Sequence, residues 1–190
     1  MKSKFLITLL AVGTVAACSG ERVAPPPSSA APSTPSSVSR VPTAEDLAKQ
    51  KALEAYEGYW RVSTAAEKAP RSKDWRSDLG EYLVDPELTR HLAEIQNLAS
   101  VPSHMEGEYR RAPAVTAVSL HEQDPRIKIT DCLDRTHLHL VSDKPGDQGQ
   151  VLDNPDQPRR YEFRAEVVRY ASLSDRWLVQ VVEVALDKPC

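Results

Sequence analysis

Apolar side chains recur at helical spacing in the part of the chain that begins at Thr43. Thr43 and Asp46 have the spacing of a capping box, in which each polar side chain accepts a hydrogen bond from the other residue's backbone N–H. The pattern predicts a helix over 44–67, ended before Pro70. Its apolar face carries an aromatic-rich stripe: Ala48, Ala52, Leu53, Tyr56, Tyr59, Trp60 and Ser63.

Two shorter helices are predicted next. One covers 74–84 and carries Trp75, Leu79, Tyr82 and Leu83. The other has Asp85 as its N-cap and Pro86 at its first position, and it runs to about Ser100. Its apolar stripe consists of Leu88, Leu92, Ile95 and Leu98.

The rest of the chain is rich in strand-forming residues. Four runs are predicted as strands, covering about 108–121, 126–141, 159–170 and 176–186. HEQDPR and ASLSDR are short enough to be hairpin connections, whereas DKPGDQGQVLDNPDQP has the Gly, Pro and Asp content of an exposed loop. Helices followed by an antiparallel sheet predict an α+β fold, with the helices on one face of the sheet.

In the second strand run, the apolar positions expected to be buried change from odd to even residue numbers. Ile127 and Ile129 are odd-numbered, while Leu138 and Leu140 are even-numbered. Because strand side chains alternate between faces, a β-bulge between Thr130 and His137 would produce this switch. Bulges favour bent sheets, so we expect the sheet to curl.

The N-terminal segment predicts where the protein resides. Two lysines precede an apolar run too short to span a bilayer, and residues 1–17 are predicted to be a signal peptide. Val15-Ala16-Ala17-Cys18 resembles the lipobox of bacterial lipoproteins, which implies lipidation of Cys18 and anchoring on the extracytoplasmic face of the cell membrane. The alternative is an ordinary secretory signal cleaved at Ala17. Residues 18–42 are then a Pro/Ser-rich tether that cannot bury a core.

The remaining residues, 43–190, are enough for one domain and too few for two. Loss of Lys2 and Lys4 leaves 22 basic against 27 acidic residues, a mildly acidic balance that argues against nucleic acid as a partner. If Cys18 is lipidated, Cys132 and Cys190 form an even pair in an oxidising compartment, so we predict a disulfide between them. A free reactive thiol is the alternative.

The order of elements, with a few short motifs, resembles a known superfamily. The motifs are Tyr59-Trp60, Asp74-Trp75-Arg76-Ser77, Thr130-Asp131-Cys132-Leu133-Asp134 and the terminal Cys190. They resemble the nuclear-transport-factor-two-like cone fold of ketosteroid isomerases and scytalone dehydratase, in particular its domains in bacterial secreted or lipid-anchored proteins. The resemblance implies a cystatin-like roll, with helices packed in the concavity of a bent sheet. No catalytic signature matches residue for residue, and the short hairpin that often interrupts the cone helices is not found.

The densest group of chemically active residues lies in and after the second strand run: Asp131, Asp134, Arg135, His137 and His139. A carboxylate base with a hydrogen-bond donor in an apolar site can transfer protons. A bulge near Asp134 could turn Asp131 or His137 inward, so Asp131 beside Tyr56 or Tyr59 is a candidate pair, with Asp134 and His137 as further candidates. The alternative is that these residues lie on the exposed face.

His137 and His139 have a spacing that zinc sites on strands use. The hairpin register places His121 too far along the strand to be a third ligand, so only Glu108 could help and no metal is expected. The chain has no G-x-G-x-x-G motif and no phosphate-binding loop, and no cofactor is expected. It also has no G-x-S-x-G motif, so serine-hydrolase chemistry would lack its nucleophile elbow.

These observations favour a lipid-anchored envelope module that binds an envelope protein or a second copy of itself and catalyses no reaction. Such a module predicts an exposed apolar patch made by Trp177, Val179 and Val181. The alternative is a small-molecule-binding or isomerase/dehydratase-like pocket lined by Tyr56, Tyr59 and Trp60.

Overall fold

The computed structural model describes residues 41–190. The predictions of a signal peptide over 1–17, of lipidation at Cys18, and of all but the end of the tether lie outside the described residues.

The first helix, α1, covers Ala44–Lys68, within one residue of its predicted end. It begins at the predicted capping box, in which the Thr43 hydroxyl accepts from the Asp46 N–H at 3.1 Å and the Asp46 carboxylate accepts from the Thr43 N–H at 2.9 Å. The third helix, α3, covers Glu87–Ser100 and ends as predicted. It begins after Pro86, with the Asp85 carboxylate accepting hydrogen bonds from Thr89 one turn later.

The middle helix is shorter than predicted. α2 covers only Arg76–Leu79, because the backbone beyond it pairs with a strand instead of continuing the helix. The Val84 N–H donates to the Val179 carbonyl at 3.1 Å, and the Val179 N–H donates to the Tyr82 carbonyl at 2.8 Å. This segment therefore covers part of a sheet edge, which local helical spacing does not reveal.

Six strands form two antiparallel sheets among the described residues. The strands are β1 (Ser103–Gly107), β2 (Ala114–Ser119), β3 (Arg126–Asp134), β4 (Leu138–Ser142), β5 (Arg160–Tyr170) and β6 (Arg176–Ala185). The larger sheet has the order β2-β3-β5-β6, and β1 pairs with β4 in a separate two-stranded ribbon. Both predicted hairpins are present, and the α+β class is confirmed.

The predicted bulge between Thr130 and His137 is wrong. The chain leaves β3 after Asp134, turns through 135–137 and enters β4 in the other sheet. The buried positions change from odd to even numbers because β3 ends there and a new strand begins. Register shifts occur instead at Thr116, beside β3, and at Gln180, beside β5. The predicted run 108–121 is likewise too long, because β2 begins only at Ala114, and β1 was not predicted.

The main core lies between α1 and the larger sheet. Tyr56, Tyr59 and Trp60 of α1 pack against Phe163 of β5, with ring centroids separated by 6.4, 6.5 and 5.0 Å respectively. Trp177 and Val179 are also buried in this core, so the predicted exposed patch retains only Val181, which is 45% exposed. The cone shape implied by the resemblance stays a prediction.

Candidate functional site

The structure brings together Asp131 and Tyr56, the predicted base and donor. Asp131 shares the inward face of β3 with Ile127 and Ile129, so no bulge is needed to turn it inward, and it is 1% exposed. Its Oδ2 accepts from the Tyr56 hydroxyl at 2.9 Å, and its Oδ1 accepts from the Ala112 N–H at 2.6 Å. Burial raises the pKa of Asp131 against these two hydrogen bonds. Both carboxylate oxygens therefore have protein partners in a buried position.

The predicted ligand-binding residues Tyr56, Tyr59 and Trp60 lie in the core. Each is at most 5% exposed. Trp60 also contacts the ring of Tyr109 edge-on, with ring centroids 4.9 Å apart, so the aromatic cluster extends beyond α1 and β5. A ligand placed between α1 and the larger sheet would have to displace these rings, and dense aromatic packing of this kind stabilises a fold.

The other predicted candidates lie apart from Asp131. Asp134 accepts from the Thr136 N–H at 2.9 Å within the turn between β3 and β4, and His137 is exposed. His139 Nδ1 lies 2.8 Å from a carboxylate oxygen of Asp153. Among residues 41–190, no cluster of three or more His, Cys, Asp or Glu side chains has an arrangement that could hold a metal ion.

Asp153 organises the long loop between β4 and β5. It accepts from the Leu140 N–H at 2.8 Å and from Arg159 Nη1 at 2.9 Å, in addition to its contact with His139. Burial alone would raise its pKa, but these hydrogen bonds and the Arg159 charge lower the pKa of Asp153 to about 2. His139 is therefore engaged in holding this loop to β4.

Cys132 and Cys190 form the predicted disulfide, with a Cα–Cα distance of 5.7 Å. Cys132 lies on β3 beside Asp131, on the opposite face of the strand. The bond closes a loop of 58 residues and ties the last residue to a central strand of the larger sheet.

A groove that the sequence did not predict lies between the end of α1, α3 and the β1–β4 ribbon. We call it the α3 groove; it has a volume of about 410 Å³. Its apolar lining consists of Ile95, Leu98, Val101, Met105 and Leu140, and its polar lining of Glu67, Glu94, Asn97, Ser103 and Tyr109. The volume and the mostly apolar lining are typical of small-molecule sites.

Glu67 is the unusual residue of the α3 groove. Its Oε2 atom is buried and has no hydrogen-bond partner among the described residues. Burial raises the pKa of Glu67 to about 7, against the opposing influence of His91, the Tyr109 hydroxyl and Arg135. At neutral pH the group can therefore accept or release a proton, a property common at functional sites.

The sequence did contain a signal for Glu67. The apolar stripe of α1 passes through Trp60 and Ser63, and Glu67 is the next position at helical spacing. A carboxylate on the buried face of an amphipathic helix must be desolvated, which is unusual without a partner. The apolar wall of the groove, in contrast, comes from elements distant in the sequence.

Comparison with known proteins does not assign the chain to a family. No protein-family model matches it, and no curated protein matches it. Solved structures with a similar arrangement include the intermembrane space region of chloroplast protein ARC6 (15% identity, 72% of this chain and 95% of that chain, TM-score 0.49). A periplasmic fragment of TraM is similar over 72% of this chain and 96% of that chain (10% identity, TM-score 0.49). Kfla4162 protein from Kribbella flavida is similar over 72% and 88% of the two chains (16% identity, TM-score 0.43).

At these identities and TM-scores, the likeness assigns neither a family nor a function. None of the helices formed by residues 41–190 has the length and apolar character needed to span a bilayer.

Proposed function

We propose that this chain is a lipid-anchored module of the cell envelope whose domain binds an apolar ligand in the α3 groove and catalyses no reaction. The groove is the observation that carries the proposal. It presents five apolar side chains beside an unpartnered carboxylate oxygen, whereas the space around Asp131 is filled by protein.

The anchor is proposed from the N-terminal sequence. Residues 1–17 have the pattern of a signal peptide, Cys18 follows a lipobox-like sequence, and the Pro/Ser-rich tether holds the domain away from the membrane. The Cys132–Cys190 disulfide supports an extracytoplasmic location, because such bonds persist in oxidising compartments. Replacement of Cys18 by Ala should release the protein from the membrane fraction; retention there would refute the anchor.

Ligand binding can be tested with a neutral fluorescent probe, N-phenyl-1-naphthylamine, added to the full-length protein. We expect saturable binding that is lost in Val101→Trp, because Val101 is 61% exposed on the groove rim and a larger side chain there would fill the groove. Val181→Trp is the matched control, since Val181 is also exposed but lies on the larger sheet. Equal binding by both variants, or no saturable binding by the unmodified protein, would refute the groove as the site.

A second candidate function is favoured by the pKa of Glu67. A carboxyl group with a pKa of about 7, next to the Tyr109 hydroxyl and an apolar wall, has the properties of a general base for proton transfer. Such an isomerase-like activity would use Glu67 and not Asp131. The test is to incubate a ketone with the protein in heavy water and to measure deuterium in the recovered ketone. Recovery without deuterium would support the non-catalytic proposal. Deuterium incorporation that depends on Glu67 would support the enzyme.

A further inference from the structure

The charges around the α3 groove are unequal. Two carboxylates line it, and no lysine or arginine is among its lining residues. Glu94 already has partners, because Arg90 donates to one of its oxygens and His91 Nδ1 lies 3.2 Å from the other. Glu67 Oε2 is the remaining buried acceptor, with no donor among the described residues. A ligand that presents a hydrogen-bond donor beside the Glu67 carboxylate would compensate electrostatically for the missing partner.

A positive charge on that donor would strengthen its interaction with the Glu67 carboxylate. An ionised carboxylate in a mostly apolar groove is poorly solvated, and a charge-assisted hydrogen bond is about twice as strong as a neutral one. A ligand carboxylate would instead be repelled by the ionised Glu67 and would find no lysine or arginine among the lining residues. The groove therefore complements a cationic or donating head group and opposes an anionic one.

We propose that the α3 groove binds an amphipathic amine, with the ammonium group beside the Glu67 carboxylate and the hydrocarbon lying on Ile95, Leu98 and Leu140. This inference rests on the proposed function, because it names the chemical class of the ligand for the same groove. The apolar body supplies affinity through burial of hydrocarbon, and the ammonium supplies specificity.

The proposal makes binding dependent on pH. Besides His91 and Glu94 of α3, the titratable or charged groups that interact with Glu67 are Tyr59 of α1, Tyr109 after β1, Arg135 in the β3–β4 turn and Tyr161 of β5. The ammonium must meet an ionised Glu67, and an alkylamine stays protonated across neutral pH. Affinity should therefore fall about tenfold for each pH unit below about 7, where Glu67 takes up a proton.

The test compares three octyl probes, octylamine, octanol and octanoate, by calorimetry with the full-length protein between pH 5.5 and 8. Octylamine should bind most tightly above pH 7, and Glu67→Gln should weaken its binding about tenfold to a hundredfold and remove the pH dependence. Octanol binding should change little in Glu67→Gln. Glu106→Gln is the matched control, because Glu106 is exposed on β1 and does not line the groove. It should leave all three affinities unchanged.

The outcomes separate this inference from the proposed function. Octylamine binding that is no tighter than octanol binding, or that survives Glu67→Gln, overturns the amine while leaving the groove as an apolar site. Octanoate binding most tightly also overturns it, since the groove would then select anions. Weakening of octylamine by Glu106→Gln as much as by Glu67→Gln indicates attraction to the acidic surface alone and overturns it too. Failure of all three probes refutes both proposals.

Discussion

Replacement of Glu67 by Gln should raise the unfolding free energy relative to the unmodified protein, and this gain should be larger at neutral and alkaline pH than at acid pH. The folded-state pKa of Glu67 is about 7, against an ordinary value of 4.5. Below pH 4.5 the carboxyl group is protonated in both states. Between the two values only the folded state keeps the proton, so the folded state loses stability as pH rises, and above about pH 7 the loss is complete.

The size of this effect follows from the shift. A shift from 4.5 to about 7 corresponds to at most about 3 kcal/mol of unfolding free energy, and because Glu67 is only half-buried we expect about 1 to 3 kcal/mol. Glutamine keeps the shape of the side chain but does not titrate. The difference between the Glu67→Gln variant and the unmodified protein should therefore grow by that amount from pH 4 to pH 8, mostly between pH 5 and pH 7.

Urea unfolding followed by tryptophan fluorescence, without reductant, measures this difference at each pH. Glu106→Gln serves as the control, and its difference from the unmodified protein should be flatter than that of Glu67→Gln, because the Glu106 side chain is exposed. A difference that is flat for Glu67→Gln as well, or that shrinks with rising pH, would show that Glu67 is not desolvated in the folded state. The case for a functional carboxylate in the α3 groove would then be lost.

Substitutions at three further positions test other parts of the structure. Tyr56→Phe should cost about 1–3 kcal/mol, because it leaves a buried oxygen of Asp131 without its donor; a urea midpoint that does not move would contradict the hydrogen bond seen at 2.9 Å. Cys190→Ser should lower the free energy of unfolding by about 4 kcal/mol, because the loop to Cys132 is no longer closed. In the unmodified protein, alkylation under denaturing, non-reducing conditions should label neither Cys132 nor Cys190. Thr43→Ala should cost about 1 kcal/mol through loss of the cap, whereas Thr43→Ser, which keeps the hydroxyl, should cost little.

The first helix could be predicted because its signals are local. A capping box, an aromatic stripe and a proline beyond its end all lie within about thirty residues, and each agrees with the others. α2 could not be predicted to the same degree. Residues 82–84 continue a helical pattern, yet their backbone groups pair with Val179, almost a hundred residues later. Only the tertiary fold decides between these two ways of satisfying the same N–H and carbonyl groups.

The segment that forms β3 and β4, which was predicted as one strand run, shows a second limit of sequence reasoning. Residues 126–141 are rich in strand-forming residues, and the change from odd to even apolar positions between Ile129 and Leu138 led to the wrong prediction of a bulge. A bulge and a strand end give the same change of parity, so the pattern could not distinguish them. Asp131 and Tyr56 were a predicted candidate pair, but the inward position of Asp131 was expected to need a bulge, whereas its shared parity with Ile129 is sufficient. The α3 groove was not predicted, since Leu140 and Ile95 meet only in the folded chain.

The separation of the β1–β4 ribbon from the larger sheet has a consequence for how the molecule opens. One wall of the α3 groove belongs to this ribbon, and in residues 41–190 its strands belong to no ladder of the four-stranded sheet. Cooperative units in proteins commonly coincide with such small motifs and exchange their amide hydrogens independently. The amides of Met105 and Leu140 should therefore exchange with solvent faster than those of Ile129 and Val167. A ligand in the groove should slow the exchange of the ribbon and leave that of the larger sheet unchanged.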